Sequence, residues 1–170
     1  MNLKIVINFV IAVALQVFVF NFAGNFTNYL PYFGLIAVIL FPFRLSKSLY
    51  LLYAFATGLS IDLSLGTGGV FAGASVGFAY LRDFIISRFR KDWSERKTEL
   101  VHLSLNSLII YIIMSSLLLT ALVYMLDAAS VKIVFYTWPH ILKHAAINAF
   151  FYLVFTLIFV WDNVYKTSVK

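Results

Sequence analysis

Asp62 is the acid set deepest in an apolar context, closing the run Gly58-Leu59-Ser60-Ile61-Asp62 just ahead of Gly66-Thr67-Gly68-Gly69. A carboxylate in a hydrocarbon environment is costly unless it is paired, protonated or reached by water, which makes it a functional candidate by default. Two kinds of chemistry fit. Asp62 can accept hydrogen bonds from the amides of the Gly66–Gly69 turn and fix how one helix reverses into the next. Alternatively it relays protons or binds a cation. The structural role is the simpler one, because no second acid lies within the apolar runs to continue a relay.

A second set of polar residues falls at helical spacing. His140, His144, Asn148, Tyr152 and Thr156 recur every four residues, and His102, Asn106, Ser107, Tyr111 and Ser115 form a similar set earlier in the chain. Asn8 and Gln16 add polar groups to the first apolar run. Histidines at i and i+4 can share a metal. Here no acid lies close to them in sequence and the H-E-x-x-H pattern is missing, so no metal is expected. Polar side chains on several membrane helices most simply hydrogen-bond to one another, at about 0.6 kcal/mol each. The alternative is a small-ligand cavity lined by His102, Asn106, His144, Asn148 and Tyr152. Gly69, Gly73 and Gly77 make a third set, a double G-x-x-x-G that gives a helix a smooth face for close packing, either within the chain or against a partner's helix.

The composition restricts what these residues can serve. Of 170 residues, 62% are hydrophobic and only 12% charged, against about 45–50% and about 25% in soluble domains. That is too little polar surface to face water, so the chain reads as a single all-α integral membrane domain. With no cysteine there are no disulfides, Fe–S clusters, thiolate zinc sites or thiol catalysis. G-x-S-x-G, P-loop and paired-acid patterns are all missing, so neither enzymatic activity nor a cofactor is expected.

At about 20 apolar residues per span, six transmembrane helices are expected, over 3–22, 31–43, 48–63, 68–89, 100–126 and 138–162. The first reads as a retained helix and not a signal peptide, since Lys4 is its only early charge and no small-x-small site follows. Pro31 opens the second, and Pro42 bounds it at a length short for a span. Eleven of the 13 Lys and Arg residues fall at the N-terminal side, the second and fourth connections and the C-terminus, leaving Lys132 and Lys143. The positive-inside rule then places both termini in the cytoplasm. The net charge of +6 is thus mostly topological, with membrane lipids and not nucleic acid as its counterpart. Arg82 is expected to snorkel to the cytoplasmic headgroups. Tyr29, Tyr32, Trp93, Trp138 and Trp161 are expected in the interfacial aromatic belt.

Leu30-Pro31-Tyr32 through Phe41-Pro42-Phe43, the Gly58 to Asp62 run, Gly66-Thr67-Gly68-Gly69 and Tyr80-Leu81-Arg82 together resemble the rod shape-determining MreD family, in its Bacteroidetes-like form. The resemblance covers Gln16 to Arg82. It departs where relatives often carry Gly-x-His and this chain reads Gly69-Val70-Phe71. It implies a non-enzymatic membrane scaffold of bacterial cell-wall elongation, in the inner (cytoplasmic) membrane. The implied partners are an MreC-like single-span protein, the MreB filament, RodA and penicillin-binding protein 2. In that setting Gly58, Asp62, Gly66 and Gly69 would order the turn, and Gly69, Gly73 and Gly77 would help to form a docking face. The family is also similar to the six-helix S-components of energy-coupling factor transporters, which implies a related bundle and, as an alternative function, a vitamin-binding subunit. Those subunits mate through an Ala-x-x-x-Ala face on the first helix, which Ala12 and Ala14 do not supply.

Overall fold

A computed structural model describes residues 10–18, 31–41, 46–88, 105–130, 132 and 136–165. His102, the charged run 89–99 and the stretches 1–9 and 19–30, with Asn8 and Tyr29, lie outside the described residues. The described elements are all helical. Residues 10–18 form α1, and a 3-10 turn at Phe33–Leu35 leads into a single α-turn, α2, at Ile36–Ile39. Four long helices follow: α3 (Lys47–Leu65), α4 (Val70–Arg88), α5 (Leu105–Asp127) and α6 (Trp138–Tyr165). Three stretches, Lys47–Leu65, Asn106–Asp127 and Trp138–Ile158, are long and apolar enough to cross a membrane.

The long helices pack in chain order, α3 on α4, α4 on α5 and α5 on α6. Residues 31–41 differ from the helix expected over 31–43. Three 3-10 residues and four α residues advance the chain only about 12 Å, against a hydrocarbon core of about 30 Å. The sequence accounts for the interruption: Pro31 and Pro42 leave little room between them, the residue before a proline is pushed away from helical geometry, and Gly34 with β-branched Ile36, Val38 and Ile39 favours helix weakly. This short segment is the centre of the molecule. Leu35, Ile36, Val38, Ile39 and Phe41 are almost wholly buried, together with Ile61 of α3, Phe78 of α4 and Ile112 of α5.

Ser46 caps α3 at its start by accepting from the Leu49 N–H at 3.4 Å. At its end Gly66 takes a left-handed conformation (φ 69°) and donates its N–H to the Asp62 carbonyl at 2.7 Å. Gly68 and Gly69 also have positive φ, 64° and 101°, so the reversal into α4 uses backbone states that glycine enters without strain. The tightest helix approach in this hairpin lies at Gly58. A Cβ there would stand 2.4 Å from the Phe71 carbonyl oxygen and 2.5 Å from the Ala72 Cα, and both are backbone atoms that cannot move aside.

The glycine stripe of α4 is placed differently. Gly69 belongs to the turn, and Gly73 and Gly77 face Leu126 and Leu122 of α5, where an added Cβ would meet only leucine methyl groups at 3.0 and 3.6 Å. The buried face of α4 is instead Ala72, Ala74, Ser75, Phe78, Ala79 and Arg82. Gly58→Ala is therefore expected to destabilise the folded chain by about 1–3 kcal/mol through overpacking. Gly73→Ala should stay within about 0.5 kcal/mol of the parent. Thermal or denaturant unfolding of the two variants in detergent micelles gives the comparison.

Candidate functional site

Gly58 and Asp62 stand one helical turn apart on the same face of α3, so the close crossing at Gly58 carries the Asp62 side chain over the start of α4. The carboxylate is 4% exposed. Its Oδ1 accepts from the Phe71 N–H at 3.0 Å and from the Thr67 hydroxyl, and its Oδ2 accepts from the Ala72 N–H at 2.7 Å. Gly69, directly before α4, has no side chain with which to cap that helix, and Asp62 does so from the neighbouring one. The first-turn amides gain acceptors and the positive end of the helix dipole gains a carboxylate. The amides concerned belong to Phe71 and Ala72, just past the Gly66–Gly69 turn that the sequence singles out.

A second constellation surrounds the interrupted segment. An irregular stretch inside an apolar bundle exposes backbone groups that water cannot reach, and each must find a partner within the protein. Asn148 Oδ1 accepts from the Tyr32 N–H at 2.9 Å, and the Tyr152 hydroxyl donates to the Tyr32 carbonyl at 2.8 Å. The His144 ring packs on the Tyr32 ring at 4.4 Å between centroids, with Nδ1 at 3.4 Å from the Tyr32 hydroxyl. Three successive rungs of α6 thus grip one residue. The Asn148 amide is oriented by its other end, which donates to the Thr120 hydroxyl of α5 at 3.1 Å.

The grip continues along the segment. Gln16 of α1 accepts from the Gly34 N–H at 2.8 Å. Hydroxyls of Tyr50 on α3 and Tyr111 on α5 donate to the carbonyls of Val38 and Ile39 at 2.9 and 3.0 Å. Arg82 of α4 closes the far end: its Nη2 donates to the Phe41 carbonyl at 2.6 Å, its Nε donates to the Tyr111 hydroxyl at 2.9 Å, and the guanidinium lies 4.7 Å from the Tyr50 ring centroid. Each of the five helices supplies at least one polar side chain to the same short stretch of backbone.

Asn148 and Tyr152 therefore come together at Tyr32, with His144 beside them. Asn106 stands apart and exposed, and His102 lies outside the described residues. Arg82 corrects the snorkelling expectation: it is 2% exposed and turned into the bundle, because the Phe41 carbonyl and two tyrosines offer a charged donor more than the headgroups do. Tyr32 is half-buried and packs against the core. Nothing in the sequence analysis marks Tyr50, and Arg82 is marked there for another place; the signal available was a proline-bounded run too short to span, whose backbone needs outside partners. Among the described residues no group of three or more His, Cys, Asp or Glu is placed to hold a metal ion.

No protein-family model, curated protein or solved structure matches the chain.

Asn148→Leu leaves the Tyr32 N–H without its acceptor and Arg82→Met leaves the Phe41 carbonyl without its donor. Each is expected to lower stability by about 1–3 kcal/mol, while Asn106→Leu, at an exposed position, should change it by less than about 0.5 kcal/mol. Unfolding midpoints in a common detergent check all three.

Proposed function

We propose that the chain is a six-span, non-enzymatic scaffold of the bacterial cell-wall elongation machinery, resident in the cytoplasmic membrane with both termini inside and working through protein contacts. The observation that carries this reading is the use made of the bundle's polar groups. Gln16, Tyr50, Arg82, Tyr111, Asn148 and Tyr152 are directed at the chain's own backbone, which leaves a rigid body with apolar outer faces, suited to docking. The likeness to the MreD family names the partners: an MreC-like single-span protein, the MreB filament, RodA and penicillin-binding protein 2.

The course of the interrupted segment fits the expected orientation, although its helical part is too short to cross a core of about 30 Å by itself. Tyr32 packs on Phe71 near the start of α4, at 5.0 Å between ring centroids, and the Phe41 carbonyl meets Arg82. Positions 71 and 82 are about 16 Å apart along the helix axis. The segment therefore advances alongside α4, from the turn end of the α3–α4 hairpin towards the end where Lys47 pairs with Asp83 at 3.1 Å. That direction agrees with a cytoplasmic side marked by Arg44 and Lys47.

One feature favours the vitamin-transporter alternative, since broken helices build substrate sites in many transporters. Here, though, the groups that would face a substrate bond the broken segment itself.

Depletion of the protein in a rod-shaped host should round the cells and leave nutrient requirements unchanged. The parent chain, returned to the depleted cells, should restore the rod shape and co-purify with the single-span partner. A new vitamin requirement, with cell shape intact, would favour the transporter reading.

A further inference from the structure

The outer surface of the α3–α4 hairpin holds an open groove of about 800 Å³ that the described residues leave unfilled. Phe55, Leu59 and Leu63 form one wall, Gly73 and Val76 the other, and the end at the turn is lined by Asp62 with Gly66, Gly68 and Gly69. The α3 wall is outward-facing, with Phe55 46% and Leu63 77% exposed.

Its length selects among occupants. From position 55 to position 63 the groove runs about 12 Å along the helix, close to the depth of one leaflet, half of a core of about 30 Å. A partner's spanning helix would need a groove more than twice as long, whereas a lipid tail lying in one leaflet needs no more than this. The chemistry of the turn end selects the headgroup. Asp62 Oδ1 accepts two hydrogen bonds but Oδ2 accepts only the Ala72 N–H, and a carboxylate oxygen can take two. Among the described residues Asp62 has no cationic partner, and a carboxylate held out of water is best matched by a charged donor. Asp62 lies one helical turn inside the end of α3, so with α3 crossing a bilayer its carboxylate would fall near the level where headgroups meet the hydrocarbon.

The geometry points to a lipid site for a phospholipid with a primary ammonium headgroup, such as phosphatidylethanolamine. The ammonium donates to Asp62 Oδ2, the phosphate stays on the aqueous side of the glycine turn, and one acyl chain lies between Phe55, Leu59 and Leu63 and the Gly73–Val76 face. An anionic headgroup would meet the Asp62 charge unfavourably. A choline headgroup keeps the positive charge but has no N–H to donate. The site depends on α3 and α4 lying in a membrane and is independent of the scaffold reading.

Native mass spectrometry of the full chain, released from nanodiscs containing equal phosphatidylethanolamine, phosphatidylcholine and phosphatidylglycerol, tests it. Retained phosphatidylethanolamine should exceed each of the other two by about fivefold or more. Leu59→Trp, which fills the groove from an exposed position without touching the Asp62 cap, should abolish that preference while keeping the parent's melting temperature. Asp62→Asn should bring the three lipids to parity where it folds, and because it also weakens the α4 cap, the headgroup comparison and Leu59→Trp decide. Equal retention of all three lipids by the parent, retention of none, or an undiminished preference in Leu59→Trp would overturn the assignment.

Discussion

A peptide backbone that leaves regular helix inside an apolar bundle has nowhere to put its N–H and C=O groups, and the rest of this molecule is arranged around that difficulty. The segment from Pro31 to Phe41 is too short and too irregular to satisfy itself. Gln16, Tyr50, Arg82, Tyr111, Asn148 and Tyr152 reach it from α1, α3, α4, α5 and α6. Each such bond adds little in isolation, since its net value is about 0.5–1.5 kcal/mol. Their larger effect is on uniqueness: every helix has to present one particular side chain at one particular height, which fixes the register of the bundle as a whole.

The α3–α4 hairpin solves the same kind of problem at smaller scale. A helix start leaves its first amides unpaired, and Gly69 brings no side chain to cap them. Asp62 substitutes from the adjacent helix, and can do so only because Gly58 allows the two backbones to meet. Glycine and aspartate are therefore one device, with the glycine setting the distance that the carboxylate bridges. Arg82 plays the corresponding part at the other end of α4, where its fork of donors joins the Phe41 carbonyl to Tyr111.

The helical class is plain in the sequence, whose apolar share of 62% suits helices with lipid-facing sides, and three of the described helices are long and apolar enough to cross a membrane. The four-residue spacing of His144, Asn148 and Tyr152 is equally visible, and so is the tie between Asp62 and the turn that follows it. The target of that stripe is not visible. Spacing reports that three side chains share a face of α6, but what they face is backbone more than a hundred residues earlier, and backbone groups leave no mark in the letters. Arg82 misleads for a related reason. Beside Asp83 near a helix end it has the pattern of an interfacial pair, and only the three-dimensional placement of Phe41, Tyr50 and Tyr111 turns it inward. Glycine spacing on α4 marks a face, and Gly73 and Gly77 meet leucines of α5, but it does not tell where two backbones come closest, which is at the single Gly58.

The bonds that hold Tyr32 span 116 and 120 positions of sequence. A chain made from its N-terminus at about 5–20 residues per second leaves Tyr32 without these partners for roughly 6–24 s after it is synthesised. Throughout that interval the interrupted segment is neither a stable span nor a packed core. Its backbone groups lack the acceptors and donors of α6 until that helix has been made. The interrupted segment thus reaches its final packing only once α6 is made, and a chain stopped before Asn148 leaves the Tyr32 N–H and C=O without the partners they have in the bundle.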